Sequence, residues 1–542
     1  MQHVVSPTSH VSARGAGRLS AFANQLRSAA PSLIECGLAT ISAALLILSF
    51  PDIDAWPLAW LAIIPLLLVI VRRPQPWPMF FAGWLFGSIF FYGSCYWLTY
   101  SMIHFGGMPT LIAFLMLIPG ALLVGLFPAL FGAVLARLIN RWDTRALLLA
   151  PFIWVALEWA RLEITGQLWN AIGYSQAYQP LTLGAARWGG VYAVGFLILA
   201  VNSAIAFALF KRNLKGTVVA LGLVLLVALF IFALGRPRVL DGTVAGQHDA
   251  VVVAVQPNVP MDLVKSVDDM RRLTDQHFTV SETALQTLPA DGKPRLIIWP
   301  ESPMYFTYGS DQQLRDRIAA FAKAHKVSLL LNSQEVAPND GLYNSALLIN
   351  EQGSLVAQYD KIRLLPFGEY VPLPKWFPGA GLITALVGGF TPGAHYRQMQ
   401  VGNVRTGVFI CIESAYPAIA RQYTRDGADV LINISNDGYL GPTAVMRQHL
   451  ANAVFRAVEN GRPVVRVTNT GITAYITPDA EIRDATGGFQ PDIRVWGVTR
   501  ATDIPTFYAR HGDVFVAVCA TISLLLLLFS FTGRRAAQRI RK

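Results

Sequence analysis

Long apolar runs fill the first 235 residues of the chain and return near its C-terminus. A helix that crosses a membrane needs about 20 mostly apolar residues, and eight runs approach or exceed that length. They cover residues 33–50, 57–71, 78–98, 109–136, 146–162, 191–210, 217–235 and 513–531. The pattern predicts a multi-pass α-helical membrane domain of about eight spans, seven in residues 33–235 and the eighth at 513–531.

A different pattern fills residues 236–512. Short apolar segments alternate with amphipathic segments of helical period, which is typical of an α/β domain with a largely buried sheet. Strands are predicted at 249–256, 295–299, 327–331, 342–350, 354–359, 405–412, 429–434 and 463–468. Helices are predicted at 267–288, 311–325, 415–426 and 445–460.

Regular periodicity fades between residues 363 and 397, where prolines and glycines are frequent. One interpretation is a long loop that packs on the core. The other is an apolar lid with glycine hinges that dips into the bilayer surface. The apolar side chains available for lipid contact are Trp376, Phe377, Leu382, Ile383, Leu386 and Val387.

Composition and charge support a membrane protein. The chain is 53% hydrophobic and only 14% charged, whereas soluble proteins carry about 25% charged residues. Its net charge of +11 does not indicate nucleic-acid binding, because residues 236–512 hold 26 basic and 26 acidic residues. The basic excess therefore lies in the two apolar ends, as in a membrane protein.

The basic residues of the short loops predict the orientation of the chain. Apart from Arg187 in the loop 163–190, they occur in every second loop, which places the tails 1–32 and 532–542 in the cytoplasm and residues 236–512 outside it. A cleaved signal peptide is the alternative for the first run, but about 30 residues precede it, which favours a retained helix. The loop residues are Arg14, Arg18, Arg27, Arg72, Arg73, Arg137, Arg141, Arg145, Lys211, Arg212 and Lys215, and the C-terminal ones are Arg534, Arg535, Arg539, Arg541 and Lys542.

Three residues with charged or nucleophilic side chains follow predicted strands: Glu301, Lys361 and Cys411. Functional groups of α/β sheets collect at strand ends, although a lone buried cysteine is usually a small apolar residue. Together the three suit covalent acyl chemistry, because a carboxylate can take the thiol proton and a lysine can stabilise an oxyanion. The chain has no Cys-x-x-Cys or His-Glu-x-x-His motif, so we predict neither a metal site nor a cofactor.

The motifs around these residues resemble known families. WPES at 299–302, YDKIRLLPFGEYVP at 359–372 and GVFICIES at 407–414 are similar to the Glu–Lys–Cys motifs of the nitrilase superfamily, whose fold is an α-β-β-α sandwich. Further segments resemble the apolipoprotein N-acyltransferases, the membrane-embedded members of that superfamily. These segments are SMIHFGGMP at 101–109, WVALEWAR at 154–161, IGYSQAYQPL at 172–181, GGVYAVGFL at 189–197, QPNVP at 256–260, SNDGYLGP at 435–442 and RAVENGRPVVRVTNTGITA at 456–474.

The resemblance implies a two-step reaction in the bacterial inner membrane, with residues 236–512 on the periplasmic side. The acyl donor is a membrane phospholipid, and the acceptor is the α-amino group of a diacylglyceryl-cysteine on an apolipoprotein. By motif, Glu301 is the general base, Lys361 the oxyanion stabiliser and Cys411 the nucleophile, which carries a thioester.

The resemblance also implies supporting residues. Glu369 matches a second glutamate that supports the lysine and the cysteine, and Glu413 matches an acidic position two residues after the nucleophile. The main-chain N–H of Ile412 is a candidate second oxyanion donor. The chain departs from the family pattern at Ile412, where tyrosine is usual, and at 438–440, where Gly-Tyr-Leu replaces Ala-Trp-Phe.

Two alternatives remain at this point. A membrane-tethered nitrilase-type amidase would use the same three residues and discharge the thioester to water. A transporter with an outer binding domain would need ionisable residues within its spans, and the apolar runs hold few besides Glu158 and Arg161.

Overall fold

The computed structural model describes residues 30–234, 248–261, 265–289, 291–338, 341–371, 389–501 and 504–532. The predicted lid residues Trp376, Phe377, Leu382, Ile383, Leu386 and Val387 lie outside these ranges, as do almost all of both predicted cytoplasmic tails.

Helices form at all eight places where the apolar runs predict them. Among the described residues, nine α-helices precede the α/β region. In chain order these are α1 (Leu33–Leu48), α2 (Ile64–Arg72), α3 (Pro76–Ser94), α4 (Leu98–His104), α5 (Thr110–Trp142), α6 (Ala150–Thr165), α7 (Pro180–Leu183), α8 (Ala186–Lys211) and α9 (Leu214–Leu234). Exposed leucines line α9, which is the surface expected of a helix that faces lipid rather than water. The first 205 described residues thus form an apolar helical domain.

The helices differ in how completely they could cross a bilayer. Among the described residues, three helical stretches are long and apolar enough, namely Thr110–Thr165, which holds α5 and α6, and those of α8 and α9. The predicted run 78–98 is not one straight span, because α3 ends at Ser94 and α4 turns away by 52°. The Ser94 carbonyl that this break frees accepts hydrogen bonds from Trp97 and Gln448.

Glycines allow α3 and α5 to approach closely. A Cβ atom on Gly83 would lie 2.3 Å from the carbonyl oxygen of Pro128, and one on Gly132 would lie 2.2 Å from that of Met79. Small residues at such crossings provide the close van der Waals packing that holds helices together in lipid.

Two six-stranded sheets form the α/β region. The strands are β1 (Ala250–Gln256), β2 (Arg295–Ile298), β3 (Ser328–Val336), β4 (Leu342–Ile349), β5 (Leu355–Asp360), β6 (Gln398–Val401), β7 (Val404–Ile410), β8 (Val430–Ser435), β9 (Val464–Thr468), β10 (Ala474–Ile476), β11 (Ile482–Arg483) and β12 (Asp492–Val498). The first sheet has the order β12-β1-β2-β3-β4-β5, and the second has the order β11-β10-β9-β8-β7-β6. Strands β1, β2 and β3 are parallel, and so are β7, β8 and β9.

Alternate residues of each strand face different layers. On β1, Val252 belongs to the core shared with the second sheet, whereas Val253 packs in a separate core beneath helices α10 (Val267–Gln286) and α11 (Gln312–His325). Helices α12 (Pro417–Arg425) and α13 (Val445–Asn460) belong to the other side, and α14 (Phe507–His511) and α15 (Val514–Phe529) end the described chain. The predicted α-β-β-α sandwich beside a helical membrane domain is therefore confirmed.

Helix α13 joins this sandwich to the membrane helices. Its Arg456 and Glu459 form a fully buried ion pair of 2.8 Å. Glu459 also accepts a hydrogen bond from the main chain of Val191, next to a kink in α8 at Gly190. Arg456 also donates to the hydroxyl of Tyr174, so both members of the pair contact the membrane domain.

The membrane residues Glu158 and Arg161 also have structural partners. Glu158 accepts a hydrogen bond from the N–H of Ile172, and Arg161 donates to the carbonyl of Trp169, each at 2.8 Å. Both side chains therefore anchor the segment that follows α6.

Candidate active site

The three predicted catalytic residues lie at ends of strands from both sheets. Glu301 follows β2, Lys361 follows β5, and Cys411 follows β7 in the second sheet. The Nζ atom of Lys361 lies 3.7 Å from Oε1 of Glu301, and the charges of both residues act on the Cys411 thiol. The sandwich therefore brings a carboxylate, an ammonium group and a thiol to one site.

Lys361 is the central cation of the site and is only 1% exposed. Its Nζ donates a 2.9 Å hydrogen bond to Oε1 of Glu369 and lies 2.8 Å from Oε2. Burial alone lowers the pKa of Lys361, but the charges of Glu369 and Glu301 outweigh it, so the pKa lies above its usual value. Lys361 is therefore a fixed ammonium group and an unsuitable proton acceptor.

Glu369 reaches Lys361 from the loop that follows β5. The same loop is folded locally, because Oε2 of Glu369 accepts the N–H of Leu365 at 2.7 Å and the N–H of Glu369 donates to the Leu365 carbonyl at 2.8 Å. The carboxylate thus contacts the ammonium group of Lys361 directly.

Asn344 links the two carboxylates, and sequence reasoning missed it. Its Nδ2 donates to Oε1 of Glu301 at 2.9 Å and to Oε1 of Glu369 at 2.7 Å. The main-chain carbonyl of Asn344 accepts the N–H of Lys361 at 2.8 Å, and the side-chain Oδ1 accepts from Nδ2 of Asn332 at 2.7 Å. The signal in the sequence is weak, because it is a single amide within the mostly apolar strand β4.

Cys411 stands at a sharp turn between β7 and a 3-10 turn over Cys411–Ala415. Its φ of 52° is in the left-handed region, which a cysteine adopts only when the surroundings hold it there. The side chain is partly accessible. Burial of the thiol, and then the negative charge of Glu301, raise its pKa, while Lys361 opposes them. The side chain of Cys411 is therefore a neutral thiol.

Glu413 ties the cysteine turn to the lysine loop. Its Oε1 accepts the Tyr359 hydroxyl and the N–H of Ile362 at 2.8 Å, and the N–H of Arg363 at 3.0 Å. Its Oε2 accepts the N–H of Ile410 at 2.8 Å. Burial raises the pKa of Glu413 despite these donors. The buried Glu413 side chain thus connects the two loops by hydrogen bonds. Its neighbour Ile412 lies in the same turn.

Residues 438–440, which depart from the family pattern, form part of the rim of the candidate site. The hydroxyls of Tyr439 and Tyr305 contact each other, and the Tyr439 ring packs edge-on against Phe105 at 5.6 Å. Because Phe105 follows α4, this rim joins the membrane domain to the sandwich. Among the described residues, no group of three or more His, Cys, Asp or Glu side chains could hold a metal ion.

Comparisons with known proteins agree with this architecture. The family model for the apolipoprotein N-acyltransferase N-terminal domain matches residues 42–204, and the model for carbon-nitrogen hydrolase matches residues 252–502. The apolipoprotein N-acyltransferase of Geobacter metallireducens is 33% identical over 91% of this chain and 95% of its own length. The chain belongs to the apolipoprotein N-acyltransferase family. This confirms the resemblance that the motifs indicated.

Other similar proteins are more distant. The apolipoprotein N-acyltransferase of Rhizobium rhizogenes is 31% identical over 74% of this chain and 76% of its own length. Among solved structures, Nit3 of Saccharomyces cerevisiae, a member of branch 10 of the nitrilase superfamily, is similar at 18% identity. It covers 47% of this chain and 91% of its own, with a TM-score of 0.37.

Proposed function

We propose that the protein moves an acyl chain from a membrane phospholipid to the α-amino group of a diacylglyceryl-cysteine at the N-terminus of an apolipoprotein. A thioester on Cys411 is the intermediate. The observation that carries this proposal is the convergence of Glu301, Lys361 and Cys411 in a chain that matches apolipoprotein N-acyltransferases across both its helical and its α/β parts.

In the first step, Glu301 takes the proton of the Cys411 thiol as the sulfur attacks the ester carbonyl of the phospholipid. The electron pair of the C=O bond moves to the oxygen, and the Lys361 ammonium stabilises that oxyanion, assisted by the N–H of Ile412. The oxyanion collapses, the C–O bond breaks, and Glu301 returns the proton to the lysophospholipid. A neutral resting thiol suits this sequence, because proton transfer and attack occur together.

In the second step, the acceptor amine attacks the thioester in its unprotonated form. Glu301 takes a proton from the attacking nitrogen, and the oxyanion again faces Lys361. The C–S bond breaks, the amide forms, and the thiol recovers its proton. The buried Lys361–Glu369 pair keeps its charges throughout, so the site is preorganised for both oxyanions.

The proposal is tested by mass spectrometry of the purified protein. Incubation with phospholipid in detergent micelles should add the mass of one acyl chain, and hydroxylamine should remove it. A diacylglyceryl-cysteine peptide should then clear the adduct and gain that chain. Release of free fatty acid at the same rate with and without the peptide would instead support the amidase alternative, in which water is the acceptor.

We also propose a periplasmic site in the bacterial inner membrane, with residues 236–512 on the outer side and the tails 1–32 and 532–542 in the cytoplasm. The support is the alternation of basic loops. In a chain without native cysteines, Gln352→Cys in the β4–β5 turn should react with an impermeant maleimide on intact spheroplasts. Asn213→Cys, between α8 and α9, should react only after lysis, and the opposite result would invert the orientation.

A further inference from the structure

A buried acidic residue and a histidine lie directly behind the nucleophile. Asp437 and His449 are only 2% and 3% exposed. The Nδ1 atom of His449 lies 2.8 Å from Oδ1 of Asp437, and its Nε2 atom lies 3.0 Å from the carbonyl oxygen of Cys411. The acyl-transfer steps do not use either side chain directly.

The partners of His449 determine where its hydrogens are. A carbonyl oxygen can only accept, so Nε2 donates to Cys411. Burial raises the pKa of Asp437, but the charges of Arg466 and His449 outweigh it and lower the pKa to about 2. The Asp437 carboxylate is therefore ionised and also only accepts. The Nδ1 atom of His449 faces this carboxylate, and the Nε2–H group faces the carbonyl oxygen of Cys411.

Two side chains contact the carbonyl of Cys411, which opens the 3-10 turn after β7. At a φ of 52° this carbonyl lies in a turn rather than in the ladder of β7. Its second contact, from Nδ2 of Asn433, is long at 3.4 Å. Arg466, which donates to Oδ2 of Asp437 at 2.9 Å, fixes the acid in turn. The Nε2–H group of His449, at 3.0 Å, is thus the closer of the two side-chain donors to the carbonyl of the nucleophile turn.

The residue before His449 is fixed by the membrane domain. Oε1 of Gln448 accepts from the indole N–H groups of Trp97 and Trp169, at 3.1 and 2.9 Å. Its Nε2 donates to the carbonyls of Pro51 and Ser94, at 2.8 and 3.1 Å. One turn of α13 therefore holds membrane helices with one side chain and the nucleophile with the next.

We propose that His449 is a positioning residue for Cys411, whose Nε2–H group holds the nucleophile turn so that the thiol faces Glu301 and the incoming acyl carbonyl. This inference rests on the proposed acyl transfer and adds a residue to it. His449 touches neither the substrate nor the reacting atoms, so its effect comes through the geometry of Cys411 alone.

Two amide substitutions separate this role from simple filling of space. The amide nitrogen of His449→Gln can reach the position of Nε2 and keep the bond to Cys411. His449→Asn is shorter and can keep only the bond to Asp437. His449→Asn should lower the rate of acyl-adduct formation by about 10- to 100-fold, as expected for a displaced reacting group. His449→Gln should stay within a few-fold of the wild type.

Two further readouts and a control complete the experiment. The loss in His449→Asn should fall on kcat, with the KM for phospholipid unchanged, because the lipid-binding surface is intact. Iodoacetamide should alkylate Cys411 more slowly in His449→Asn than in His449→Gln, measured by peptide mass spectrometry against Cys36 in the same chain. The control is His325→Asn, at the end of α11, which should match the wild type in every measurement.

The outcomes are distinct. Equal losses in the Asn and Gln variants, or wild-type rates in both, would overturn the positioning role, because only the donor towards Cys411 distinguishes the two. If the wild-type chain forms no adduct from phospholipid, the proposed acyl donor is wrong. In that case the alkylation rates of Cys411 still decide the role of His449, since they require no natural substrate.

Discussion

Replacement of Cys411 by alanine is expected to abolish both the acyl adduct and all transfer to a diacylglyceryl-cysteine peptide. Without the sulfur no thioester can form, and Lys361 cannot replace it as the nucleophile, because Glu369 and Glu301 hold it as an ammonium ion. Phospholipid should still bind, because alanine leaves the surrounding apolar surface intact. Intact-mass measurement after incubation with phospholipid checks the first expectation, and lipid co-purification checks the second.

Two related variants define the limits of this result. Cys411→Ser should also be inactive although folded, because its hydroxyl is a far poorer nucleophile than a thiol when Glu301 is the only base. Cys519→Ala, at a buried position in α15, is the matched control and should retain the adduct. An undiminished adduct in Cys411→Ala would contradict the covalent mechanism, whatever the family of the chain.

The helices and central strands could be predicted because their burial leaves a direct signal in the sequence. Helix α13 runs over residues 445–460, as its periodicity predicts, and β1 is apolar up to its last residue because both of its faces are covered. The strand β12 was missed, since Arg494 and Gly497 interrupt its apolar pattern and its partner β1 is more than 230 residues away. Pairing across such a distance leaves no local pattern.

The membrane helices show the same limit of prediction from local sequence. Apolarity located each of them, but it could not reveal that the predicted run 78–98 breaks after Ser94. That break depends on partners for the Ser94 carbonyl, one of which is Gln448, 354 positions further along the chain. A helix can end where its free main-chain carbonyls find other hydrogen-bond donors. Here those donors come from tertiary structure, which the local sequence does not show.

In the candidate site too, some residues could be predicted from local sequence and others could not. Glu301, Lys361 and Cys411 could be proposed because each follows a strand, and strand ends converge. Asn344 and His449 could not, because an asparagine in a strand and a histidine in a helix have many ordinary roles. Only the pairing of β4 with β5 and the placement of α13 behind β7 bring these two side chains to the carboxylates and to the nucleophile turn.

Lys361→Met is expected to lower both activity and stability. Loss of one oxyanion donor typically costs about 10²–10³ in rate, so adduct formation should fall by at least that factor. The variant also leaves the buried carboxylate of Glu369 and the partly buried carboxylate of Glu301 as neighbours, both held by Asn344. Removal of one partner from a buried ion pair costs about 3–5 kcal/mol, so the thermal denaturation midpoint in detergent should fall as well.

The double variant Lys361→Met/Glu369→Gln separates these two effects. Glutamine removes one of the stranded charges and retains an oxygen that can accept from Asn344 and Leu365, so part of the lost thermal stability should return. The acylation rate should not return, because the ammonium group that faces the oxyanion is still missing. If the double variant regained both stability and acylation, Lys361 would serve only to neutralise Glu369, and the oxyanion would depend on main-chain donors such as the N–H of Ile412.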